Sequence, residues 1–87
     1  MRDLRGMVAW ITGAGSGIGE GAALSLAKEG VKVILTGRRK EPLELVASSI
    51  IKLGGSAEVA QGDAKDRKGM QNIANNIIKK HGKIDLL

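Results

Sequence analysis

The stretch Thr12-Gly13-Ala14-Gly15-Ser16-Gly17-Ile18-Gly19 follows an apolar run at 7–11, and its last three residues begin a helical pattern. A strand, a glycine-rich turn and a helix in this order form a phosphate-binding arrangement. Glycines line such a turn because side chains would keep a phosphate away from the backbone. The helix N-terminus adds unpaired N–H groups and the positive end of its dipole. The stretch therefore predicts a phosphate site; the alternative is a glycine-rich turn that binds nothing.

The composition indicates one small globular domain. The chain has 87 residues with an apolar content of 43%, and Trp10 is its only aromatic residue. An aliphatic, β-branched core suits a parallel sheet covered by helices. There are no cysteines, so disulfides and thiolate metal sites are excluded, and no metal site is predicted. No apolar run is long enough to span a membrane, and the charged N-terminus does not resemble a signal peptide, so we expect a cytoplasmic location.

The net charge of +5, from 14 basic and 9 acidic residues, raises the possibility of a nucleic-acid partner. The basic residues are scattered, with only short clusters at 38–40 and 79–81, and no aromatic residues are interleaved to stack bases. A solvated surface with one phosphate site explains the charge, and neither a nucleic acid nor a membrane is predicted as a partner.

Apolar and helical patterns alternate along the chain. They predict strands at 7–12, 31–36, 57–60 and 84–87, separated by helices at 17–28, 42–53 and 66–81. Ile18 begins the apolar pattern of the first helix, and Leu53 is placed on the buried face of the second. Each crossover is long enough for a parallel connection. The predicted fold class is a Rossmann-type α/β doubly wound parallel sheet, β-α-β-α-β-α-β, with strand order 3-2-1-4.

The spacing of the glycines discriminates between phosphate motifs. The nucleoside-triphosphate loop would need Gly-Lys-Ser/Thr, which is absent, and G-x-G-x-x-G fits only from Gly17, too far past the strand. Thr-Gly-x-x-x-Gly-x-Gly fits at 12–19, and in this it resembles the short-chain dehydrogenase/reductase family. The resemblance implies a dinucleotide pyrophosphate held by Gly13, Gly15, Ser16, Gly17, Ile18 and Gly19.

The end of the second predicted strand bears on the choice of cofactor. Nicotinamide adenine dinucleotide (NAD) sites place an acid there for the ribose 2′-hydroxyl, whereas NADP sites avoid it and offer arginine. At this position the chain has Gly37-Arg38-Arg39 and no acidic residue. NADP(H) is therefore predicted over NAD(H), because a guanidinium matches a phosphate with paired donors. The resemblance implies Arg38 as the main ligand with Ser16 beside it. The alternative is that Arg38 and Arg39 are a solvated loop pair.

Asp63 and Ala64 follow the third predicted strand. The resemblance implies that the Asp63 carboxylate accepts a hydrogen bond from the adenine amino group and that the Ala64 backbone contacts the ring. The alternative role for Asp63 is a helix cap, and Asp66 is interpreted as a cap or dipole partner only. His81, at a helix end beside Lys79 and Lys80, is predicted to be a surface dipole partner without chemistry. Trp10 is predicted to be buried.

The resemblance also implies what lies beyond this sequence. Family members continue with a catalytic serine and a tyrosine–lysine pair, and none of these positions is present. Residues 1–87 are therefore expected to be a partial dinucleotide-binding domain, cut before the catalytic segment and inactive alone, from an NADP(H)-dependent oxidoreductase acting on an alcohol or carbonyl. The expected partners are the cofactor and either the missing C-terminal half or a second copy at an exposed strand edge. A non-catalytic dinucleotide-binding module is the alternative function.

Overall fold

The computed structural model describes residues 4–86. Three strands and three helices alternate along the chain: β1 (Val8–Thr12), α1 (Gly17–Lys28), β2 (Lys32–Thr36), α2 (Lys40–Lys52), β3 (Ser56–Val59) and α3 (Arg67–His81). The strands form one parallel sheet with β2 in the middle, in the order β1-β2-β3. A parallel sheet with α-helical crossovers is the Rossmann-like α/β arrangement that the alternating pattern predicted.

Successive side chains of the strands enter two separate cores, because residues on a strand alternate between the faces of a sheet. Ala9, Val33 and Leu35 pack with α1 and α2 on one face. Val8, Trp10 and Ile34 pack with Ile77 of α3 on the opposite face. Trp10 is buried, as predicted. The sheet is thus covered on both sides, which leaves its strand ends as the place where loops gather.

Within residues 4–86 the predicted fourth strand is formed only in part, and the predicted order 3-2-1-4 is not confirmed: the Trp10 N–H donates to the Leu86 carbonyl over 2.9 Å, and the Leu86 N–H donates to the Val8 carbonyl over 3.1 Å. The segment makes a single parallel bridge, Ala9 to Leu86, beside β1. The Val8 N–H donates to the Asp85 carboxylate over 2.8 Å instead of to a backbone carbonyl. A side chain thus takes one of the donors that a regular ladder would use. Leu87, the last residue of the predicted fourth strand, lies outside the described residues.

Three side chains differ from the expectations for helix faces. Ile18, in the first turn of α1, is 93% exposed, and Leu53, the C-cap residue of α2, is 74% exposed. His81 is not on the surface: its side chain is 8% exposed, and its Nε2 atom lies 3.0 Å from Glu58 Oε1. Partial burial opposes ionisation of Glu58, but its contacts with Lys80 and His81 outweigh burial and lower the pKa of Glu58.

The predicted cap of α3 is confirmed. The Asp66 side chain accepts a hydrogen bond from the Gly69 N–H over 3.0 Å, which satisfies one of the donors that a helix start leaves open. At the other end, Gly82 adopts a left-handed conformation with a φ of 82°, which favours glycine. These two residues explain why α3 begins and ends where its apolar pattern does.

Replacing Asp85 is expected to change how stability responds to acid. The Val8 N–H, together with the ammonium of Lys83, holds the pKa of the Asp85 carboxyl below its ordinary value of 3.8. A carboxyl whose pKa is lower in the folded chain than in the unfolded chain stabilises the fold at pH values above its pKa in the unfolded chain. This stabilisation is lost as the pH falls through the pKa that the carboxyl has in the folded chain. We expect Asp85→Asn to lower the urea midpoint at neutral pH, with the difference from the unmodified chain closing below pH 3.8.

The matched control for this prediction is Glu44→Gln, which removes an exposed carboxylate on α2. Urea unfolding followed by Trp10 emission across the acid range measures all three chains. If the urea midpoints of Asp85→Asn and the unmodified chain differ by the same amount at every pH, the Val8–Asp85 hydrogen bond does not contribute to the pH dependence of stability.

Candidate functional site

An open cleft of about 290 Å³ lies at the carboxyl ends of the three strands, where the loops after β1, β2 and β3 meet. This is the edge at which open α/β sheets bind ligands. Of the residues predicted as binding residues, the cleft brings together Gly13, Arg38, Asp63 and Ala64. The remaining lining residues are Thr12, Thr36, Gly37, Gly62 and Lys65.

The turn between β1 and α1 has the close packing that only glycine permits. Gly13 has a φ of 66°, in the left-handed region. A Cβ atom on Gly19 would lie 2.7 Å from the Gly13 carbonyl carbon and 3.1 Å from the Cα atom of Ala14. The first turn of α1 therefore rests directly on the backbone of the turn. Gly15 faces away from the cleft, towards Pro42 of α2.

The N-terminus of α1 carries the other predicted residues of the turn. Ser16 is the N-cap residue, with an extended backbone and a hydroxyl that makes no capping hydrogen bond. The N–H groups at the start of a helix have no acceptor within the helix, and the dipole makes this end positive. Ser16, Gly17, Ile18 and Gly19 do not line the cleft itself. They form a second donor-rich surface at the same edge of the sheet.

The two predicted arginines occupy different positions. Arg38 lines the cleft, and its backbone carbonyl accepts a hydrogen bond from Gln61 Nε2 over 2.9 Å. Arg39 is the N-cap residue of α2 and does not line the cleft. Within residues 4–86, no carboxylate forms an ion pair with either guanidinium. Arg38 is thus the arginine that faces the cleft and has a charge available for a ligand.

Asp63 is not a helix cap, because Asp66 has that role in α3. The Asp63 Oδ1 atom accepts a hydrogen bond from the Lys65 N–H over 2.9 Å, and its backbone carbonyl accepts from the Asp66 N–H. These bonds order the carboxylate at the cleft. Lys65 was missed by the sequence analysis, although its position two residues after Asp63 could have indicated it.

A buried hydrogen-bond chain below the cleft was also missed. Trp10 Nε1–H donates to Thr36 Oγ1 over 2.8 Å, and the Thr36 hydroxyl donates to the Ala60 carbonyl over 2.7 Å. Thr36 is 1% exposed, and it is the buried polar residue of the sheet. The pairing depends on the strand register, so no pattern in the sequence could have revealed it.

Two further features are absent from residues 4–86, a candidate metal site and a helix that could span a membrane. No group of three or more histidine, cysteine or acidic side chains in this part of the chain has a geometry suited to a metal ion. None of its helices combines the length and the apolar character needed to cross a bilayer.

A parallel α/β sheet with a glycine-rich turn after β1 and a cleft at its carboxyl edge defines the Rossmann-like class of nucleotide-binding folds. Within that class, the family model described as short chain dehydrogenase matches residues 7–87. This chain therefore belongs to the short-chain dehydrogenase family.

Relatives and solved structures agree with this assignment. The uncharacterized oxidoreductase Lin0452 of Listeria innocua is 37% identical over 84 residues, covering 97% of this chain and 34% of the relative. The 11-beta-hydroxysteroid dehydrogenase-like 2 protein of Arabidopsis thaliana is 40% identical over 86 residues, covering 98% and 28%. The chain thus spans about a third of the length of the curated relatives it matches.

Two similar solved structures contain different cofactors. A crystal structure of a metagenomic short-chain oxidoreductase in complex with NADP has a TM-score of 0.94 and 36% identity, and it covers 99% of this chain and 39% of the other. NAD⁺-bound xylitol dehydrogenase has a TM-score of 0.91 and 31% identity, covering 98% and 33%. The fold is thus shared by proteins that bind either dinucleotide.

Proposed function

We propose that this chain binds the adenosine and pyrophosphate part of NADP(H), and that it is the cofactor-binding part of an oxidoreductase. The complete enzyme would transfer hydride between NADP(H) and an alcohol or carbonyl substrate. The observation that carries the proposal is that Arg38 and Asp63 line one cleft beside Gly13. A cation and a hydrogen-bond acceptor that line the same cleft suit a phosphorylated ribose and an adenine amino group, respectively. None of the chain's residues is assigned to the hydride-transfer step.

Each part of the cofactor has matching chemistry in the chain. The pyrophosphate would lie against the turn and the α1 N-terminus, at Gly13, Gly15, Ser16, Gly17, Ile18 and Gly19. The unpaired N–H groups and the uncommitted Ser16 hydroxyl are donors suited to anionic oxygens. The ribose 2′-phosphate would pair with Arg38, with Arg39 contributing charge from outside the cleft. The adenine would lie in the cleft between Arg38 and the backbone of Asp63 and Ala64.

The choice of NADP over NAD rests on Arg38 and on the absence of an acid at the end of β2. The metagenomic relative crystallised with NADP supports this choice, whereas the NAD⁺-bound xylitol dehydrogenase structure keeps NAD as the competing cofactor. NAD has a ribose 2′-hydroxyl where NADP has a 2′-phosphate, so bound NAD would give the Arg38 guanidinium no anion to pair with. We therefore expect a preference for the phosphorylated cofactor.

The experiment is a calorimetric titration of NADP⁺ and NAD⁺ into the chain and into Arg38→Ala. A hydrogen bond to a charged group contributes about 1.5–3 kcal/mol, so we expect Arg38→Ala to weaken NADP⁺ binding about 10- to 100-fold. The affinity for NAD⁺ should be unchanged, because NAD⁺ lacks the 2′-phosphate.

Arg39→Ala is the matched control, since it removes the same charge from the neighbouring residue outside the cleft. Its NADP⁺ affinity should fall by only a few-fold, through the loss of long-range attraction. If both variants lose the same amount of NADP⁺ affinity, the two arginines act only as a general positive charge. If the unmodified chain binds NADP⁺ and NAD⁺ with equal affinity, the proposed preference for NADP is contradicted.

A further inference from the structure

The hydrogen-bond chain below the cleft has only one possible direction. An indole nitrogen is a donor and never an acceptor. Thr36 Oγ1 therefore accepts from Trp10 Nε1–H, and its own single proton is given to the Ala60 carbonyl. Both bonds are short, and the Trp10 and Thr36 side chains are buried. We call this Trp10–Thr36–Ala60 chain the relay.

The relay connects all three strands: the middle of β1, the end of β2 and the residue after β3. Trp10 belongs to β1, Thr36 is the last residue of β2, and Ala60 comes directly after β3. Ala60 also begins the segment that contains Asp63 and Ala64, and its N–H donates to the Leu35 carbonyl over 2.9 Å. The relay thus holds the start of the Asp63 segment against the two other strands.

Two further bonds continue this attachment towards the cleft. The Gly62 N–H donates to the Gly37 carbonyl over 3.0 Å, and Gln61 Nε2 donates to the Arg38 carbonyl over 2.9 Å. The wall that carries Asp63 is therefore held to the wall that carries Arg38. Thr36 lies at the base of both walls and itself lines the cleft.

We propose that Thr36 is a positioning residue, whose relay sets the distance between the Asp63 wall and the Arg38 wall and so tunes adenine binding. This inference rests on the proposed function, because it assumes that adenine occupies the cleft. Loss of the hydroxyl would leave the buried Trp10 indole N–H and the partly buried Ala60 carbonyl without their partners. The least costly relief is an outward shift of the segment after β3, which widens the cleft. A site that is no longer preorganised binds its ligand less tightly.

The test compares Thr36→Val, which keeps the shape but lacks the hydroxyl, with Thr36→Ser, which keeps the hydroxyl. Two probes are titrated by calorimetry or NMR: adenosine 2′,5′-bisphosphate, which contains the adenine, and pyrophosphate, which does not. We expect Thr36→Val to bind the bisphosphate about three- to tenfold more weakly and pyrophosphate with unchanged affinity. Thr36→Ser should bind both probes like the unmodified chain.

Ser49→Ala is the matched control, because the Ser49 hydroxyl also donates to a carbonyl, that of Leu45, but on the exposed side of α2. It should leave both affinities unchanged. The Trp10 indole N–H resonance provides a readout without ligand: it should shift and exchange faster with solvent in Thr36→Val alone. If Thr36→Val does not fold, Trp10→Phe removes the other end of the relay, and the same selective loss for the bisphosphate is expected.

The outcomes separate the inference from the function on which it rests. If the unmodified chain binds the bisphosphate and Thr36→Val binds it equally well, or loses both probes alike, the positioning role is overturned. If the unmodified chain is folded by circular dichroism and binds neither NADP⁺ nor the bisphosphate, the proposed function is overturned, and the relay's role in binding with it. The indole resonance then still reports on the hydrogen bonds themselves.

Discussion

Gly19→Ala is expected to destabilise the chain by about 3 kcal/mol and to abolish measurable cofactor binding. The added methyl would lie 2.7 Å from the Gly13 carbonyl carbon, which is a backbone atom that cannot rotate away. The first turn of α1 would have to lift from the turn after β1. That movement would separate the α1 N–H groups from the cleft, so stability and the proposed pyrophosphate site should be lost together.

Gly21→Ala is the matched control, because Gly21 lies in the same helix and a Cβ atom there would contact nothing within 4 Å. Alanine has the higher helix propensity, so this variant should be more stable by about 0.5–1 kcal/mol. Urea unfolding followed by Trp10 emission and by circular dichroism measures both variants. Equal stabilities would show that Gly19 of α1 does not pack against the Gly13 backbone.

Leu43→Ala is expected to cost about 2–5 kcal/mol of the free energy of unfolding. Leu43, in the first turns of α2, is 0% exposed. Its Cδ2 atom would lie 3.3 Å from a Cβ atom on Gly37 and 3.8 Å from one on Gly15. The side chain therefore fills the space beneath the loops after β1 and β2, which carry the predicted phosphate and ribose contacts. Its loss leaves a cavity where both loops are supported.

Leu45→Ala makes the same chemical change two residues away, at a side chain that is 71% exposed. A change within about 0.5 kcal/mol is expected there. Urea midpoints give the stabilities, and NADP⁺ titration at low denaturant shows whether the loops still support binding. A small domain has a total stability of only about 5–15 kcal/mol, so Leu43→Ala should also unfold at a visibly lower temperature. If the two leucine variants unfold at the same urea concentration, the packing beneath the loops is not what holds them.

The element order followed from local chemistry, and the ends of the elements were predicted to within about two residues. The helix at 17–28 was predicted with the bounds that the structure has, and Asp66 and Gly82 were recognised as the cap and the end of α3. Capping and glycine conformation depend on neighbouring residues alone, so a sequence contains enough information to locate them. The glycine spacing at 12–19 likewise indicated the family, which the comparison with the short chain dehydrogenase model confirmed.

Predictions that needed contacts between distant residues were less successful. Periodicity placed Leu53 on a buried face, and the position of His81 at a helix end beside two lysines placed it on the surface. In the structure Leu53 is exposed and the His81 side chain is largely buried. The fourth strand was predicted from its apolar residues, but the Asp85 carboxylate bonds to the Val8 N–H and only one bridge forms among residues 4–86. A pattern indicates which residues are apolar, but not which partner will meet them.

Local patterns thus determined the alternation of strands and helices and the glycine turn, and the resemblance that this turn carries indicated the residues proposed to bind a dinucleotide. The tertiary structure alone decided that Lys65 lines the cleft and that Thr36 connects Trp10 to Ala60. The physical reason is that propensities, caps and turns act over a few residues. Which side chains meet across a sheet depends on strand register and helix docking, and these are settled only when the whole core packs.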